Sequence, residues 1–201
     1  MGRPRKEDSL TPLDVTNAAL SCLDSEGEAG LGVNRVARAL GIKPPAIYKH
    51  VDGNAGLRQA LAIAIWRDYL AYCQQQTAGC TNSTTRFYKG AQAARSYAKR
   101  HPARYCVMMQ YQMRPTDPEE GEIIQRSLSF FQSALQLHEL SNDALVDCMR
   151  MVNAAIYGFI MREQLDLMTL TRSADDSYQV MLDALLVAIS YIKENASREH
   201  I

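Results

Sequence analysis

The stretch from Val33 to His50 constrains the fold more than any other part of the chain. Val33, Val36, Ala37 and Leu40 recur at i, i+3, i+4 and i+7, which makes one apolar stripe on a helix of about two turns. Gly41 follows at once and can take the positive φ that stops a helix without a Cβ clash. Ile42 can plug the angle that follows. Pro44-Pro45 suit the first turn of a new helix, where missing N–H groups break no internal bond. Ala46, Ile47 and Val51 can then face inward, which leaves Lys43, Tyr48, Lys49 and His50 near or on the outer side. Two short helices joined by a tight turn, the second basic and aromatic, are the layout of a helix-turn-helix, which sets its second helix in a DNA major groove.

Charge supports that reading. The chain balances 22 Lys and Arg against 22 Asp and Glu, so any attraction for phosphate has to be local. No Asp or Glu occurs from Ala29 to Val51, a span that holds Arg35, Arg38, Lys43 and Lys49. A local positive face is all that phosphate binding needs. Charge alone fits a solvated basic hairpin equally well; the glycine turn, the double proline and the two stripes favour DNA. Upstream, Thr11-Pro12-Leu13-Asp14 predicts a helix start, with Thr as N-cap, Pro at N1 and an acid facing the positive dipole end. Val15, Ala18, Ala19, Cys22 and Leu23 give its stripe, and Gly27 and Gly30 end it. Met1-Gly-Arg-Pro-Arg-Lys6 cannot build a core and reads as a disordered basic arm, too short and polar for a secretory signal. Its Arg3, Arg5 and Lys6 either follow an adjacent minor groove or merely keep the chain soluble.

From about Leu10 through Leu61 these residues resemble the TetR family of bacterial transcriptional regulators. The match includes Gly30-Leu31, Val36-Ala37-Arg38, Leu40-Gly41-Ile42, Tyr48-Lys49-His50 and Leu57. The run from Gly41 to Gly53 looks like one branch, whose C-terminal regions often carry a Trp-His-Gly type signature. His101-Pro102-Ala103-Arg104-Tyr105, Asp117-Pro118-Glu119 and Ala155-Ile156-Tyr157-Gly158-Phe159 with Glu163 look like that branch's marks, although Ile156-Tyr157 replace the signature's aromatic and His. Two positions depart from the family near DNA. Gly32 stands where Ser or Thr usually caps the helix before the turn, and Asn54 stands near where Lys is common.

The resemblance implies an all-α fold: an N-terminal three-helix helix-turn-helix domain and a C-terminal helical domain for ligand binding and dimerisation. Residues 1–9 are the expected arm, 10–53 the DNA-binding domain and 54–201 the effector and dimer domain. The DNA contacts expected are Arg3, Arg5, Lys6, Asn34, Arg35, Lys43, Pro44, Pro45, Tyr48, Lys49 and His50. The partner is a near-palindromic double-stranded operator.

Helical spacing continues to the C-terminus, with helices expected near 54–76, 84–100, 102–112, 118–137, 142–167 and 174–195. The last two carry broad stripes, and a stripe wider than one neighbour can cover suggests burial on two sides. With the resemblance, Val152, Ile156, Phe159, Ile160, Met181, Leu185, Ile189 and Ile192 are the expected homodimer interface; ordinary intrachain core takes part of each stripe. Tyr97, Tyr105, Met108, Met109, Tyr111, Met113, Phe130 and Met149 combine adaptable apolar walls with polar handles. With Tyr157 and Glu163 from the branch's marks, they are the expected lining for a partly apolar small-molecule effector. Simple core packing is the alternative for each.

Several classes find no support. The chain has no Gly-x-Ser-x-Gly, no P-loop and no His-Glu-x-x-His, and its four histidines lack ligand spacing, so neither an enzyme nor a metal or other cofactor is expected. No apolar run reaches a membrane span, and no membrane partner is expected. Cys22, Cys73, Cys80, Cys106 and Cys148 are scattered and form no C-x-x-C, which suits a reducing cytoplasm. The leading expectation is a DNA-binding repressor released by an effector. The alternative is a helical small-molecule-binding or catalytic protein that has lost DNA binding.

Overall fold

A computed structural model describes residues 10–135, 137 and 140–198, with side chains described to residue 195. Among the described residues the regular structure is helical: α1 (Pro12–Glu26), a 3-10 turn (Gly27–Gly30), α2 (Val33–Leu40), α3 (Pro44–Ile47), α4 (Gly53–Thr77), α5 (Ser83–Arg100), α6 (Pro102–Gln110), α7 (Pro118–Leu135), α8 (Asn142–Gln164) and α9 (Ala174–Arg198). The basic arm and its Arg3, Arg5 and Lys6 lie outside the described residues.

Local chemistry sets most of these ends. Thr11 caps α1 in a capping box, its hydroxyl accepting from the Asp14 N–H while Asp14 accepts from the Thr11 N–H. The Thr11 hydrogen bonds hold the Asp14 carboxyl below its usual pKa. Asp117 caps α7, accepting from the Glu119 N–H at 3.0 Å and the Glu120 N–H at 3.1 Å. Ser141 caps α8.

Packing divides the chain into two compact units, Met1–Tyr69 with Arg100–Ile124, and Leu70–Lys99 with Gln125–Ile201. The division falls inside α4, α5 and α7. It differs from the contiguous 10–53 and 54–201 split, because α6 and the start of α7 pack with the N-terminal helices.

In the first unit α1 packs against the 3-10 turn, α2 and α6. Val15, Ala19, Cys22 and Leu23 of α1, Val33, Val36 and Ala37 of α2, and Leu57, Leu61 and Ile65 of α4 are all buried. Each large apolar side chain so placed contributes about 1.5–3 kcal/mol. The 3-10 turn comes so close to α1 that a Cβ on Gly30 would stand 2.6 Å from the Cys22 carbonyl oxygen. The Arg104 Nε donates to Asp24 at 2.7 Å, and the Trp66 indole donates to the Met108 carbonyl at 3.2 Å.

In the second unit one core joins Phe87 and Ala91 of α5, Leu135 and Leu137, Leu145, Cys148 and Val152 of α8, and Tyr178, Leu182, Leu185 and Ile189 of α9. The Tyr178 hydroxyl donates to the Ala91 carbonyl at 2.8 Å, and the Lys193 ammonium to the Leu135 carbonyl at 2.8 Å. One expectation needs correcting. By length and composition α8 is apolar enough to cross a membrane. It gets there by averaging over exposed Asp147 and Arg150, and its Leu145, Cys148, Val152 and Ile160 face is buried in the chain itself.

Candidate nucleic-acid interface

The turn after α2 is a Schellman cap. Gly41 sits in the left-handed region at φ 69°, its N–H donates to the Arg38 carbonyl, and the Ile42 N–H donates to the Ala37 carbonyl at 3.0 Å. Lys43 is extended and precedes Pro44 and Pro45, whose absent N–H groups fall in the first turn of α3, where none is needed. α3 is a single turn of four residues. It ends at Ile47, whose carbonyl accepts from both the His50 N–H at 2.9 Å and the Val51 N–H at 3.2 Å, tightening the chain into a turn.

That geometry sorts the side chains. Ala46 and Ile47 are buried, and Ile47 is fully so. Lys43, Pro45, Tyr48 and Lys49 are exposed, while Pro44 and His50 are half-buried. Tyr48 exposes 58% of its surface, unusual for a large aromatic with no role outside the chain. The outer face of this segment is thus two lysines and a tyrosine around two prolines, carried on an apolar anchor. Asn34 is exposed on the first turn of α2.

Arg35 stands apart from the other expected contacts. Its guanidinium grips Glu26, and its Nε lies 2.9 Å from that carboxylate. The hydrogen bond holds the Glu26 carboxyl below its usual pKa and raises that of Arg35. Reaching a phosphate would require giving up that pair.

Asn54 has a use that sequence reasoning missed. Its side-chain Oδ1 accepts from the Val33 N–H at 2.9 Å, across 21 residues. Gly32 offers α2 no side-chain cap, and Asn54 supplies one from the first turn of α4. The signal was present as two separate oddities, a glycine N-cap and an asparagine early in the next long helix.

The expected effector residues fall in both units. In the first, Tyr105 and Met108 are core, at 1% and 0% exposed, and Met109, Tyr111 and Met113 are partly exposed. The Tyr111 hydroxyl donates to Glu120 at 3.0 Å. Glu120 has no exposed surface, and its carboxylate also accepts from Gln59 of α4 and from the Arg114 guanidinium, each at 2.8 Å, and from the Arg114 N–H. Burial alone would raise its pKa; the Arg114 and Tyr111 hydrogen bonds outweigh that and bring it down to about 2.

In the second unit Tyr97 is core at 2% exposed, while Phe130, Met149, Tyr157 and Glu163 are partly exposed. Glu163 is held by the buried Arg95, whose Nε donates to it at 2.8 Å, and by Lys99 at 3.0 Å. Arg95 also pairs with Asp175 at 2.8 Å and lies over the Phe159 and Tyr178 rings, 5.6 and 4.8 Å from their centroids. Glu163 therefore helps seat an internal cation, and the hydrogen bond from Arg95 lowers its pKa against the opposing effect of burial. Tyr97, Tyr105 and Met108 are too deeply buried to present a surface to a ligand as they stand.

The expected dimer residues divide as well. Val152, Ile160, Leu185 and Ile189 are buried within the single chain, so their apolar area is already spent on its own core. Ile156, Phe159, Met181 and Ile192 pack against that core and keep part of their surface. Beyond them α9 exposes Val180, Val187 and Tyr191 at 55, 71 and 68%.

Residues 87–185 match a family model described as a tetracyclin repressor-like C-terminal domain. An uncharacterized HTH-type transcriptional regulator of Mycobacterium tuberculosis is 29% identical over 168 residues, 84% of this chain and 75% of that protein. Among solved structures, a TetR variant from Acinetobacter baumannii in complex with minocycline superposes with a TM-score of 0.69 at 18% identity, over 92% of this chain and 98% of that one. Apo ActR from Streptomyces coelicolor gives 0.70 at 14% identity, over 93% and 98%. Identities this low speak for the fold alone. Through the matched C-terminal domain and a relative that runs along most of the sequence, the chain is similar to TetR-type transcriptional regulators.

Proposed function

We propose that the chain is a sequence-specific DNA-binding transcriptional regulator, a homodimeric repressor that a small, partly apolar effector releases from a near-palindromic operator. The observation that carries this reading is the outer face of Lys43–His50. Tyr48 and Lys49 are exposed there on a segment that buried Ala46 and Ile47 hold to the core. Lys43 and Lys49 contact phosphate or guanine, Tyr48 contacts phosphate, and Pro44 and Pro45 touch thymine methyl groups. Asn34 and His50 flank this set, Arg35 joins it only by leaving Glu26, and Arg3, Arg5 and Lys6 follow the neighbouring minor groove.

In this reading residues 10–53 read DNA, and 54–201 carry the effector and dimer contacts. Val180, Ala184, Val187 and Tyr191 recur at i, i+4, i+7 and i+11 on the exposed side of α9, a stripe suited to a second copy. The half-covered Ile156, Phe159, Met181 and Ile192 would extend it. Of the effector set, Met109, Tyr111, Met113, Phe130, Met149 and Tyr157 keep surface for a ligand. A relative of the same fold holds minocycline, in keeping with a small-molecule effector. Effector binding shifts the population between two spacings of the paired reading segments. The protein would work in the cytoplasm, and no catalytic role is assigned to it.

The test is retardation of a DNA fragment from the gene's own upstream region. The wild type retards it, and Tyr48→Ala with Lys49→Ala abolishes the shift. Retardation unchanged in that double variant would remove the assignment of the reading segment. The competing reading, a small-molecule binder that has lost DNA binding, draws on the commitment of Arg35 to Glu26. A wild type that retards no DNA even at low salt would favour it.

A further inference from the structure

The stretch from Val33 to His50, α2 with the reading segment, is tied to α4 at both of its ends. At its far end Val51 and Asp52 make a short link into α4, with the Gly53 N–H on the Val51 carbonyl at 3.0 Å and the Gly56 N–H on the Asp52 carbonyl at 2.8 Å. At its near end the Asn54 side chain holds the Val33 N–H. The chain from Val33 to Asn54 is therefore a ring closed by one side-chain hydrogen bond. Inside that ring α2, the Gly41 turn and α3 are each fixed by their own bonds, so rotation of the first turn of α4 carries them together.

We infer that Asn54 is a positioning residue for DNA readout: it caps α2 in place of the side chain Gly32 lacks, and in doing so fixes the orientation of α3 to α4. This rests on the DNA-binding reading above. Backbone strain does not explain Gly32. At φ 176° and ψ 147° it is extended, a conformation open to any residue, and a Cβ there would meet nothing nearer than the Asn54 Oδ1 at 3.9 Å. A serine at 32 would thus fit and cap α2 at the Asn34 or Arg35 N–H, adding to its stability without replacing the Asn54 bond to the Val33 N–H. That separates the two jobs of Asn54, since a local hydroxyl can stabilise the end of α2 but cannot tie it to α4.

The experiment compares wild type, Asn54→Ala, Gly32→Ser and Gly32→Ser with Asn54→Ala by thermal melting, by exchange of the Val33 amide, and by retardation of a fragment selected from random oligonucleotides by the wild type. Asn54→Ala should lower the melting midpoint by about 2–4 °C. It should speed Val33 exchange several-fold and weaken DNA binding by about three- to ten-fold. With serine at 32, the double variant should regain a midpoint close to that of wild type, the new cap offsetting the lost one, but should still bind DNA weaker than Gly32→Ser by about that factor. Equal DNA affinity of Gly32→Ser and Gly32→Ser with Asn54→Ala would overturn the positioning role. An unchanged midpoint and unchanged Val33 exchange in Asn54→Ala would overturn the cap. A wild type that selects no DNA fails the underlying reading, and melting and exchange then still decide the cap.

Discussion

The segment from Gly41 to His50 and the helical pair α8–α9 treat apolar residues in opposite ways. In the short segment Ala46 and Ile47 go inward, Ile42, Pro44 and His50 are half-buried, and Lys43, Pro45, Tyr48 and Lys49 face solvent, so what the segment offers a partner is plain from its polarity. In α8 and α9 the apolar stripes are wide, and the chain's own core claims the middle of each. Half of the residues expected to meet a second copy are buried in the first. A short helix bounded by glycine and proline has one way to sit, whereas a long apolar helix has several faces that suit more than one neighbour.

The sharpest way to break this contrast is at Arg95, the cation inside the otherwise apolar α8–α9 unit. Arg95→Ala strips Glu163 of its main partner and leaves the Phe159 and Tyr178 rings facing a void. It should cost about 3–5 kcal/mol in denaturant unfolding, and a cost under about 1 kcal/mol would mean the cluster is incidental. Next, Ile160→Ala should cost about 2–5 kcal/mol of stability while leaving self-association unchanged in sedimentation. Val187→Arg with Tyr191→Arg should do the reverse, dissociating the proposed dimer at micromolar concentration and moving monomer stability by about 0.5 kcal/mol or less. If Ile160→Ala were the one to dissociate it, the inner and outer faces have been exchanged.

A smaller effect tests the first unit, where a carboxylate does the joining. Glu120→Gln should cost about 1–3 kcal/mol near neutral pH, since Gln59, Tyr111 and Arg114 all lose a charged acceptor. A carboxyl whose folded pKa is depressed stabilises above its ordinary value and loses that contribution as pH falls through the folded value. The gap between wild type and variant should therefore be constant above about pH 4.5 and close as pH falls toward about 2. A gap independent of pH would show that Glu120 acts through shape alone.

What the sequence made legible was local. The Thr11-Pro12-Asp14 start, the Gly41 stop and the Pro44-Pro45 restart each depend on atoms within a few residues, and each forms as expected. The end of α3 was not legible for a related reason, because helical periodicity cannot distinguish a fifth helical residue from a tightening turn. Arg95 was missed because its partners are remote, with Glu163 lying 68 residues on. One sign of it was available: a charged residue stands on a side of α5 otherwise made of Ala91, Ala94 and Ala98. Glu120 stands in the first turn of α7, where any acid suits the helix dipole, and nothing nearby announces that Gln59 reaches it from α4. Which apolar stripe meets which neighbour needed the packed chain, since burial is settled by competition among faces of similar composition.

The cysteines give this fold a built-in clock. Cys22, Cys73, Cys80 and Cys148 are buried and Cys106 is only partly so, with burial raising the pKa of the Cys106 and Cys148 thiols. Two of these sulfurs lie in the first unit and three in the second. An alkylating reagent added to the native protein meets one sluggish target, and each further adduct records the opening of whatever covers it. The order in which the other four appear would report which half of the molecule loosens first, with no label introduced and no residue changed.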